Sequence, residues 1–390
     1  MMTRASTSIS VETRIDASRI AKTRVPMNSA ISGANLARFR RALLGWYDEH
    51  RRNLPWREST DPYEIWLSEI MLQQTRVAAV LDHYRIFLER FPNVQALAAA
   101  SEDAVLAAWS GLGYYRRARM LHRCAQQIVE QHGGCFPTNS DSLRALPGIG
   151  RYTAAAIASI AFAQPVAVVD GNVERVLQRL IRQKKIRQKT IRNKTRGIKL
   201  STPQTWQHAQ TLLADSRPGD FNQAMMELGA TVCVPREPRC PLCPVRKWCA
   251  TRGVAQGEVP RPLSRQRKKQ IWCALEWRNR SGMGRADGDA RAYIRLVQRA
   301  KKASLMPGMW ELPQSSEPPR TAPATAHWRT LRHSITVTDY TVHVFESVRG
   351  RGVTPLPRKT AKGRWVAIDR IPQLPLTGLT RKILRAGGII

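Results

Sequence analysis

Apolar residues recur at helical spacing through the first part of the chain. The first stripe repeats at three- or four-residue steps, as expected for one face of a helix, and consists of Leu36, Phe39, Leu43 and Trp46. Turn signals rich in Gly and Pro separate it from further stripes over 63–72, 77–90, 102–109, 115–130 and 152–162. The pattern from Leu36 to about Leu228 therefore predicts a compact all-α unit of many short helices.

The pattern changes after Cys249. Gly, Pro and a basic cluster predict a linker over 251–270. Beyond it, runs rich in Val, Ile, Thr and aromatic residues predict strands over 271–277, 292–298, 334–345 and 364–368, interrupted by a proline-rich loop over 313–323. We expect a second domain of the α+β class.

The first 34 residues lack hydrophobic periodicity and are rich in Ser, Thr and Arg. No apolar stretch follows Arg4, which argues against a secretory signal. The low acid content hints at an organellar transit peptide, but Glu12 and Asp16 weaken that interpretation. We expect a disordered tail over 1–34.

Charge narrows the class of partner. The chain has 63 Lys and Arg against 29 Asp and Glu, a net charge of +34, and its pI is about 11.1. Such a field attracts polyanions, chiefly nucleic acid or an anionic membrane surface. The longest apolar run, 154–163, has about half the ~20 residues of a membrane-spanning helix. Nucleic acid is therefore the predicted partner, and no membrane association is expected.

Seven cysteines, an odd number, without a signal peptide indicate a reducing compartment, where clustered cysteines bind metal or do redox chemistry. Four have the spacing C-x6-C-x2-C-x5-C: Cys233, Cys240, Cys243 and Cys249. Thiolates suit a [4Fe–4S] cluster or Zn²⁺. Zinc sites with four cysteines usually pair two C-x2-C knuckles, and this segment has a single one, which favours iron–sulfur over structural zinc or a coincidental grouping.

A Pro-Gly-Ile-Gly segment over 147–150 precedes an alanine-rich helix. Proline and two glycines permit a tight hairpin whose backbone N–H groups point outward at a helix N-terminus. Gly148 and Gly150 would then bind a phosphate oxygen without reading sequence. An ordinary turn between helices with a glycine cap is the alternative.

The hairpin, Asp170 after the apolar run 166–169, and the cysteine spacing together resemble the endonuclease III superfamily of DNA glycosylases. Within it, Trp-Leu-Ser-Glu-Ile-Met-Leu-Gln-Gln-Thr (66–75), Gly-Leu-Gly-Tyr-Tyr (111–115) and Phe-Asn-Gln-Ala-Met-Met-Glu-Leu-Gly-Ala (221–230) resemble the MutY-type adenine DNA glycosylases. The resemblance is close over 36–250 and looser over 275–380.

The resemblance implies an N-terminal all-α helix–hairpin–helix glycosylase with a [4Fe–4S] loop, followed by a C-terminal α+β Nudix-like domain. Residues 305–313 resemble that second domain, which lacks the Nudix metal-binding box and would read 8-oxoguanine without chemistry of its own. The implied parts are a tail (1–34), the glycosylase domain (35–232), the iron–sulfur loop (233–250), a linker (251–270) and the Nudix-like domain (271–390).

Release of adenine needs proton donation to the base and negative charge near the cationic sugar, which two carboxylates in opposite protonation states supply. Glu69 shares a helix face with Ile65 and Trp66, an apolar setting that would raise its pKa. The resemblance implies that Glu69 protonates adenine at N7. A solvated glutamate on the polar side of the helix is the alternative.

The second carboxylate is Asp170, which stands where a helix begins and would stay ionised. A plain N-cap is the alternative, and the two roles are compatible. The resemblance places Asp170 against the cationic sugar, with Asn172 and Tyr152 close by. Relatives that also cut the strand carry a Lys at the position of Tyr152, which forms a Schiff base. Tyrosine has no amine, so we expect a hydrolytic, monofunctional reaction.

Extruding a base leaves a gap in the duplex. The resemblance implies wedge or gap-filling roles for Gln73, Gln74, Leu112 and Tyr114. Core positions are the alternative for Leu112 and Tyr114, and helix surface is the alternative for the paired glutamines.

Thr336 stands where many relatives carry the Ser of a Phe-Ser-His motif that touches 8-oxoguanine, and Val337 replaces the His. We therefore expect 8-oxoguanine to be preferred over guanine by a smaller margin. The basic segment 182–199 departs from the family and, like Arg57, either contacts phosphate or forms a solvated surface.

These features predict an adenine DNA glycosylase that acts, as a monomer, on double-stranded DNA carrying an A·8-oxoguanine or A·G mispair. It would work at the nucleoid of a bacterium, or in the nucleus or mitochondria of a eukaryote. A related glycosylase for another base, and a non-catalytic iron–sulfur protein that binds DNA or senses redox state, are the alternatives.

Overall fold

The computed structural model describes residues 31–181, 200–252, 267–278, 292–318, 327–335, 337–348 and 363–390. Four features predicted from the sequence lie wholly or mostly outside the described residues: the tail 1–34, the basic segment 182–199, the linker 251–270 and the reading residue Thr336.

The helices of the described residues are α1 (Ala34–His50), α2 (Pro62–Leu72), α3 (Val77–Arg90), α4 (Val94–Ala99), α5 (Glu102–Ala108), α6 (Arg116–His132), α7 (Ser140–Arg144), α8 (Arg151–Ala161), α9 (Gly171–Leu180), α10 (Thr202–Leu212), α11 (Pro218–Thr231) and α12 (Gly378–Ala386). The strands are β1 (Arg267–Arg278), β2 (Tyr293–Gln298), β3 (Trp310–Glu311), β4 (Gln314–Ser315), β5 (His327–Ile335), β6 (Thr338–Val348) and β7 (Arg364–Ala367). Each predicted helical stripe coincides with a helix. In the part of the chain that the structure describes, none of the helices is both long and apolar enough to span a bilayer.

The chain divides into two compact units. Unit A comprises the described residues of 1–52 and 165–257, and so contains α1, α9, α10, α11 and the cysteine segment. Unit B comprises 53–164 and the described residues from 258 onward, and so contains α2–α8, the sheet and α12. The helical part of the chain is thus shared between both units, a division that hydrophobic periodicity does not reveal.

Unit A has one apolar core formed by its helices. Phe39 and Leu43 of α1 pack with Leu177 of α9 and Leu228 of α11, all of them buried. Ile31 is fully buried in the same core. Burial of large aliphatic and aromatic side chains of this kind contributes about 1.5–3 kcal/mol each.

Unit B is centred on α2. Eight of the eleven residues of α2 are buried, so this helix lies inside the unit rather than at its surface. Asp61 caps its N-terminus by accepting a hydrogen bond from the backbone N–H of Tyr63. α2 packs against α8 and α3, and this position carries its side chains, including Glu69, into the interior.

The C-terminal part of unit B is a mixed sheet with the strand order β3-β2-β1-β6-β5, and β4 and β7 pair with β1 and β2. β1 and β6 are parallel, and the other pairs are antiparallel. α12 covers one face, where Leu384 and Ile383 join a core with Cys273 and Leu275. The predicted α+β class of this region is therefore confirmed.

Two strand predictions were wrong in their bounds. The run 334–345 is not one strand, because the chain reverses after Ile335, which pairs with Thr338 across the β5–β6 hairpin. A turn inside a β-branched run carries none of the Gly or Asn signals that mark most hairpins. β1 also starts at Arg267, four residues inside the predicted linker, where its side chains are exposed.

Candidate active site

Glu69 lies on the buried helix α2 and is only 6% exposed. Tyr152, in the first turn of α8, donates a hydrogen bond from its hydroxyl to Oε2 of Glu69. The neighbours of Glu69 on α2, Ile65 and Trp66, are buried as well. A carboxyl group in this setting is held in one orientation by a hydroxyl from a second helix.

The hairpin before α8 has the backbone that the sequence predicts. Gly148 has φ +77°, and a Cβ there would lie 2.9 Å from Cβ of Met120, so this position requires glycine. Gly150 is the N-cap residue of α8 and provides no side chain to bind the first N–H groups. Both glycines are exposed, which leaves the N-terminus of α8 open to an anion.

Two cations lie near this helix terminus. Burial lowers the pKa of Arg151, and the like charge of Arg144 lowers it further. A bound phosphate would relieve this repulsion, since it adds negative charge beside both guanidinium groups.

Asp170 is the N-cap residue of α9 in unit A. Its Oδ1 accepts a hydrogen bond of 2.7 Å from the backbone N–H of Val173, and its Oδ2 accepts one of 3.0 Å from Nδ2 of Asn172. The predicted N-cap is thus present, and Asn172 is a direct partner of the carboxylate.

Burial raises the pKa of Asp170 above its ordinary value of 3.8. The hydrogen bonds from Val173 and Asn172 and the charge of Arg175 oppose this shift without cancelling it. The charged carboxylate is therefore held in an unfavourable, desolvated environment. A carboxylate in that state gains most when a cationic group approaches it.

Three residues that were not predicted from the sequence hold Asn172 and the segment before Asp170. Arg175 donates from Nη2 to Oδ1 of Asn172 at 2.8 Å and to the carbonyl of Gly229 at 2.7 Å. A Cβ on Gly229 would lie 2.7 Å from Cβ of Asn172, so α11 approaches α9 at a distance that only glycine allows. Asn222 accepts from the backbone N–H of Val168 at 3.0 Å and so holds the segment before Asp170. Asn222 and Gly229 belong to the segment 221–230 that carried the family resemblance, which was the available signal.

The loops that follow α2 and precede α6 contain the predicted wedge and gap-filling residues. Gln73 is the C-cap residue that follows α2, and its Nε2 lies 3.5 Å from Oγ1 of Thr153. Gln74 and Tyr114 both have positive φ, +58° and +48°, a conformation that is strained for residues with side chains. Tyr114 is 55% exposed, whereas Leu112 is buried.

The predicted metal ligands Cys233, Cys240, Cys243 and Cys249 line one pocket in unit A. Burial raises the pKa of the Cys243 thiol to about 12. Burial also raises the pKa of Cys240, and the charges of Cys233 and Cys249 add to that effect. Among the described residues, no three His, Cys, Asp or Glu side chains meet closely enough to hold a single metal ion. Four neighbouring thiols are nonetheless the donor set that an iron–sulfur cluster uses.

Helix α9 connects the cysteine pocket to Asp170. Arg179, near its C-terminus, donates to the Sγ of Cys233 at 3.2 Å and to the carbonyl of Val234 at 2.8 Å. Arg175 donates to the carbonyl of Cys233 at 2.9 Å. The helix that carries the candidate carboxylate at one end is therefore anchored to the cysteine loop along its length.

Comparison with known proteins finds relatives of this chain. A family model described as "HhH-GPD superfamily base excision DNA repair protein" matches residues 67–199. The adenine DNA glycosylase of Rattus norvegicus is 48% identical over 236 residues, which are 58% of this chain and 44% of that protein. The adenine DNA glycosylase of Buchnera aphidicola subsp. Schizaphis graminum is 36% identical over 245 residues, which are 61% of this chain and 67% of that protein. Among solved structures, a thermostable thymine-DNA glycosylase is similar, with a TM-score of 0.48 and 27% identity over 56% of this chain and 96% of that one.

The match to the superfamily defines the class: a helix–hairpin–helix protein of base excision DNA repair. Within that class, the chain belongs to the adenine DNA glycosylase family. It spans less than half the length of the mammalian relatives that it matches.

The environment of Asp170 predicts an unequal response to two substitutions. Asp170→Asn keeps an N-cap oxygen for Val173 and removes a buried charge, but its amide nitrogen cannot accept the hydrogen bond from Asn172. Because these effects oppose each other, at pH 7 this variant should be within about 1 kcal/mol of the wild type. Asp170→Ala loses the cap and should be less stable than Asp170→Asn by about 1 kcal/mol. Urea unfolding of the three proteins measures both differences.

The pH dependence of the free energy of unfolding tests the same explanation. Because the folded pKa of Asp170 is raised, its contribution to stability is fully present below the unfolded value and is lost as pH rises through the folded value. The wild type should therefore lose stability relative to Asp170→Asn as pH rises from about 3 to 7. If the difference in unfolding free energy between wild type and Asp170→Asn does not change with pH, burial does not raise the pKa of Asp170.

The close approach at Gly229 predicts that Gly229→Ala destabilises the protein by about 1–3 kcal/mol, since the added methyl group collides with Asn172. Gly45 is the matched control, because it also lies inside a helix of unit A, and a Cβ there would meet no other described atom within 4 Å apart from its chain neighbours and the nearby backbone of its own helix. Gly45→Ala should be neutral or stabilising by up to about 1 kcal/mol. Thermal unfolding distinguishes the two, and equal effects would refute the packing explanation.

Proposed function

We propose that this chain is a monofunctional DNA glycosylase that hydrolyses the N-glycosidic bond of adenine mispaired with 8-oxoguanine or guanine. The observation that carries the proposal is the hydrogen bond from Tyr152 to the buried carboxyl group of Glu69. This hydrogen bond orients the carboxyl group that we propose as the proton donor. It also shows that a hydroxyl rather than an amine follows the hairpin. Membership of the adenine DNA glycosylase family supports the choice of adenine.

In the proposed reaction, Glu69 donates its proton to N7 of the extruded adenine, and this makes the base a better leaving group. The hydroxyl of Tyr152 keeps the Glu69 carboxyl group in one orientation. The base departs with the proton, and water adds to the sugar carbon. One proton of that water passes to solvent, and the other stays on the new hydroxyl group. The product is an abasic site with an intact strand, because no lysine amine is present to form a Schiff base at position 152.

Asp170 would remain ionised and stabilise the positive charge that develops on the sugar. The burial of Asp170, which raises its pKa, also strengthens the interaction of its charged form with a nearby cation. Asn172 positions the carboxylate through its hydrogen bond to Oδ2.

The proposed DNA contacts use several parts of the chain. Gly148 and Gly150 would bind a phosphate through backbone N–H groups, next to Arg144 and Arg151. The wedge and gap-filling roles of Gln73, Gln74, Leu112 and Tyr114 are part of the proposal. So is the reading of 8-oxoguanine by a Nudix-like domain over 271–390 through Thr336. The net charge of +34 supports a DNA partner.

The four cysteines fit a [4Fe–4S] cluster, and we include it in the proposal. Cys233, Cys240, Cys243 and Cys249 would ligate it in the pocket that they line. When bound, the cluster would serve as a crosslink that fixes the loop to which Arg175 and Arg179 are hydrogen-bonded. Its contribution to Asp170 is therefore structural, through α9.

The acid role predicts that Glu69→Gln binds a mispaired duplex but releases adenine at least about 100-fold more slowly, since an amide has no acidic proton to donate. Glu64→Gln is the matched control, because Glu64 lies in the first turn of the same helix. Duplexes carrying A·8-oxoguanine, A·G, T·G or thymine glycol are incubated under single-turnover conditions, with and without alkali. Strand breaks should occur for A·8-oxoguanine and A·G, and only after alkali.

Each other outcome identifies an alternative. Cleavage of T·G or thymine glycol instead of adenine duplexes would assign another glycosylase, and breaks before alkali would assign strand-cleaving chemistry. Tight binding with no base release from any duplex would indicate a non-catalytic DNA-binding protein. Glu69→Gln that works as fast as Glu64→Gln would remove Glu69 from the reaction.

The cysteine pocket predicts a brown protein with about four iron and four sulfide per chain after anaerobic purification. Cys240→Ser should lose most of the iron, whereas Cys135→Ser, a change of an exposed cysteine outside the spacing, should keep it. Elemental analysis and visible absorption measure both. One zinc and no iron per chain would replace the iron–sulfur proposal with a structural zinc site.

A further inference from the structure

Arg117, in the first turn of α6, has an unusual set of partners. Its guanidinium contacts segments of unit B that are far apart in the sequence, and the side chain is half-buried. The sequence gives no sign of this, because Arg117 is one of three arginines over 116–119.

The first set of contacts is at the C-terminal end of α2. Nη1 of Arg117 donates to the carbonyl oxygens of Ile70 at 2.7 Å, Met71 at 2.9 Å and Gln73 at 2.6 Å. The last carbonyl groups of a helix have no partner within the helix, and a cation there also interacts favourably with the helix dipole. Arg117 thus caps the helix that carries Glu69.

The second set is in the loops. Nη2 donates to Oγ1 of Thr75 at 3.1 Å, and lies 3.4 Å from the carbonyl oxygens of both Leu112 and Gly113. The guanidinium carbon also lies 5.5 Å from the ring centroid of Tyr114. One side chain therefore connects the loop 73–75 to the loop 111–114.

The charge of Arg117 has no carboxylate partner among the described residues. Burial lowers its pKa to about 10, which shows the cost of keeping the cation there. A lysine would fit poorly, because it has three donors on one nitrogen and cannot span two directions as the planar guanidinium does.

The two loops need such support. Gln74 and Tyr114 have positive φ, and strained backbone of this kind persists only where its surroundings over-determine it. The contacts of Arg117 flank both strained residues: Gln73 and Thr75 on one loop, and Gly113 with the Tyr114 ring on the other.

We propose that Arg117 is a positioning residue that holds the loops 73–75 and 111–114 and the end of α2 in the arrangement needed to extrude the target base. The predicted loss of reaction rate rests on the proposed glycosylase function. The predicted effect on the two loops is independent of that function. Arg117 touches neither base nor sugar in this account. It acts through Gln74, Tyr114 and the helix of Glu69.

The test compares Arg117→Lys with Arg116→Lys, the neighbouring exposed arginine. Thr75→Val is a milder second variant that removes one acceptor of the guanidinium and leaves Arg117 in place. Hydrogen exchange of the free proteins should be faster in both loops for Arg117→Lys, and in neither for Arg116→Lys. Unchanged exchange in both loops would overturn the inference, whether or not the protein is a glycosylase.

On A·8-oxoguanine duplexes, Arg117→Lys should keep its affinity for undamaged DNA within about threefold. It should lose about 10–100-fold in the single-turnover rate, the scale of effect that small misplacements cause. Extrusion is followed by the rise in fluorescence of 2-aminopurine placed next to the target adenine. This rise should be smaller for Arg117→Lys than for wild type. Thr75→Val should lie between wild type and Arg117→Lys.

The outcomes separate the two proposals. If wild type and Arg116→Lys release adenine and Arg117→Lys does so at the same rate with the same fluorescence rise, the positioning role is wrong and the glycosylase stands. If wild type releases no base, the glycosylase proposal fails, and the exchange measurement alone decides on Arg117. A uniform loss of melting temperature, of affinity for all DNA and of rate in Arg117→Lys, repeated in Thr75→Val, would show a purely structural residue.

Discussion

The candidate site depends on one constraint: the backbone N–H and C=O groups at helix ends need hydrogen-bond partners from outside the helix. A buried helix end must find partners for up to four N–H or four C=O groups. In unit A, Asp170 accepts from the first turn of α9. In unit B, Arg117 donates to the last turn of α2. The first turn of α8 has no side-chain cap, because its N-cap residue is the exposed Gly150. Each of these ends carries a residue or a surface to which we assign a role in the reaction.

The charges at these ends are costly to bury, and this links stability to function. Burial raises the pKa of Asp170 and lowers that of Arg117, so in both cases the charged form is held against the preference of its surroundings. Proteins tolerate such groups mainly where function requires them. The rest of each unit offsets that cost with an apolar core, in which Phe39, Leu43 and Leu177 are fully buried in unit A.

Local patterns predicted much of the fold and little of its long-range arrangement. The stripe of Leu36, Phe39 and Leu43 predicted α1 because helical periodicity is a property of neighbouring residues. The hairpin at Ile335 was missed because its turn lies within a β-branched run. Local patterns do not reveal the division into two units, because α1 packs with α9 and α11, which follow it by more than 100 residues in the sequence.

The same reasoning applies to the site. Glu69 and Asp170 were predicted from the family resemblance, and the four cysteines from their spacing. Arg117, Arg175 and Gly229 were not, because a structural arginine or a close-packed glycine looks like any other until its partners are known. What distinguishes Gly229 is a neighbour, Asn172, that is 57 positions away in the sequence.

The central claim is that a buried carboxyl group protonates the target base at N7. The most direct test replaces N7 with carbon, by placing 7-deazaadenine opposite 8-oxoguanine in an otherwise identical duplex. This base keeps its size and its pairing edge but cannot accept a proton at that position. We predict that the wild-type protein binds this duplex about as tightly as the adenine duplex and releases no base from it. Release of 7-deazaadenine at the rate of adenine would contradict the account.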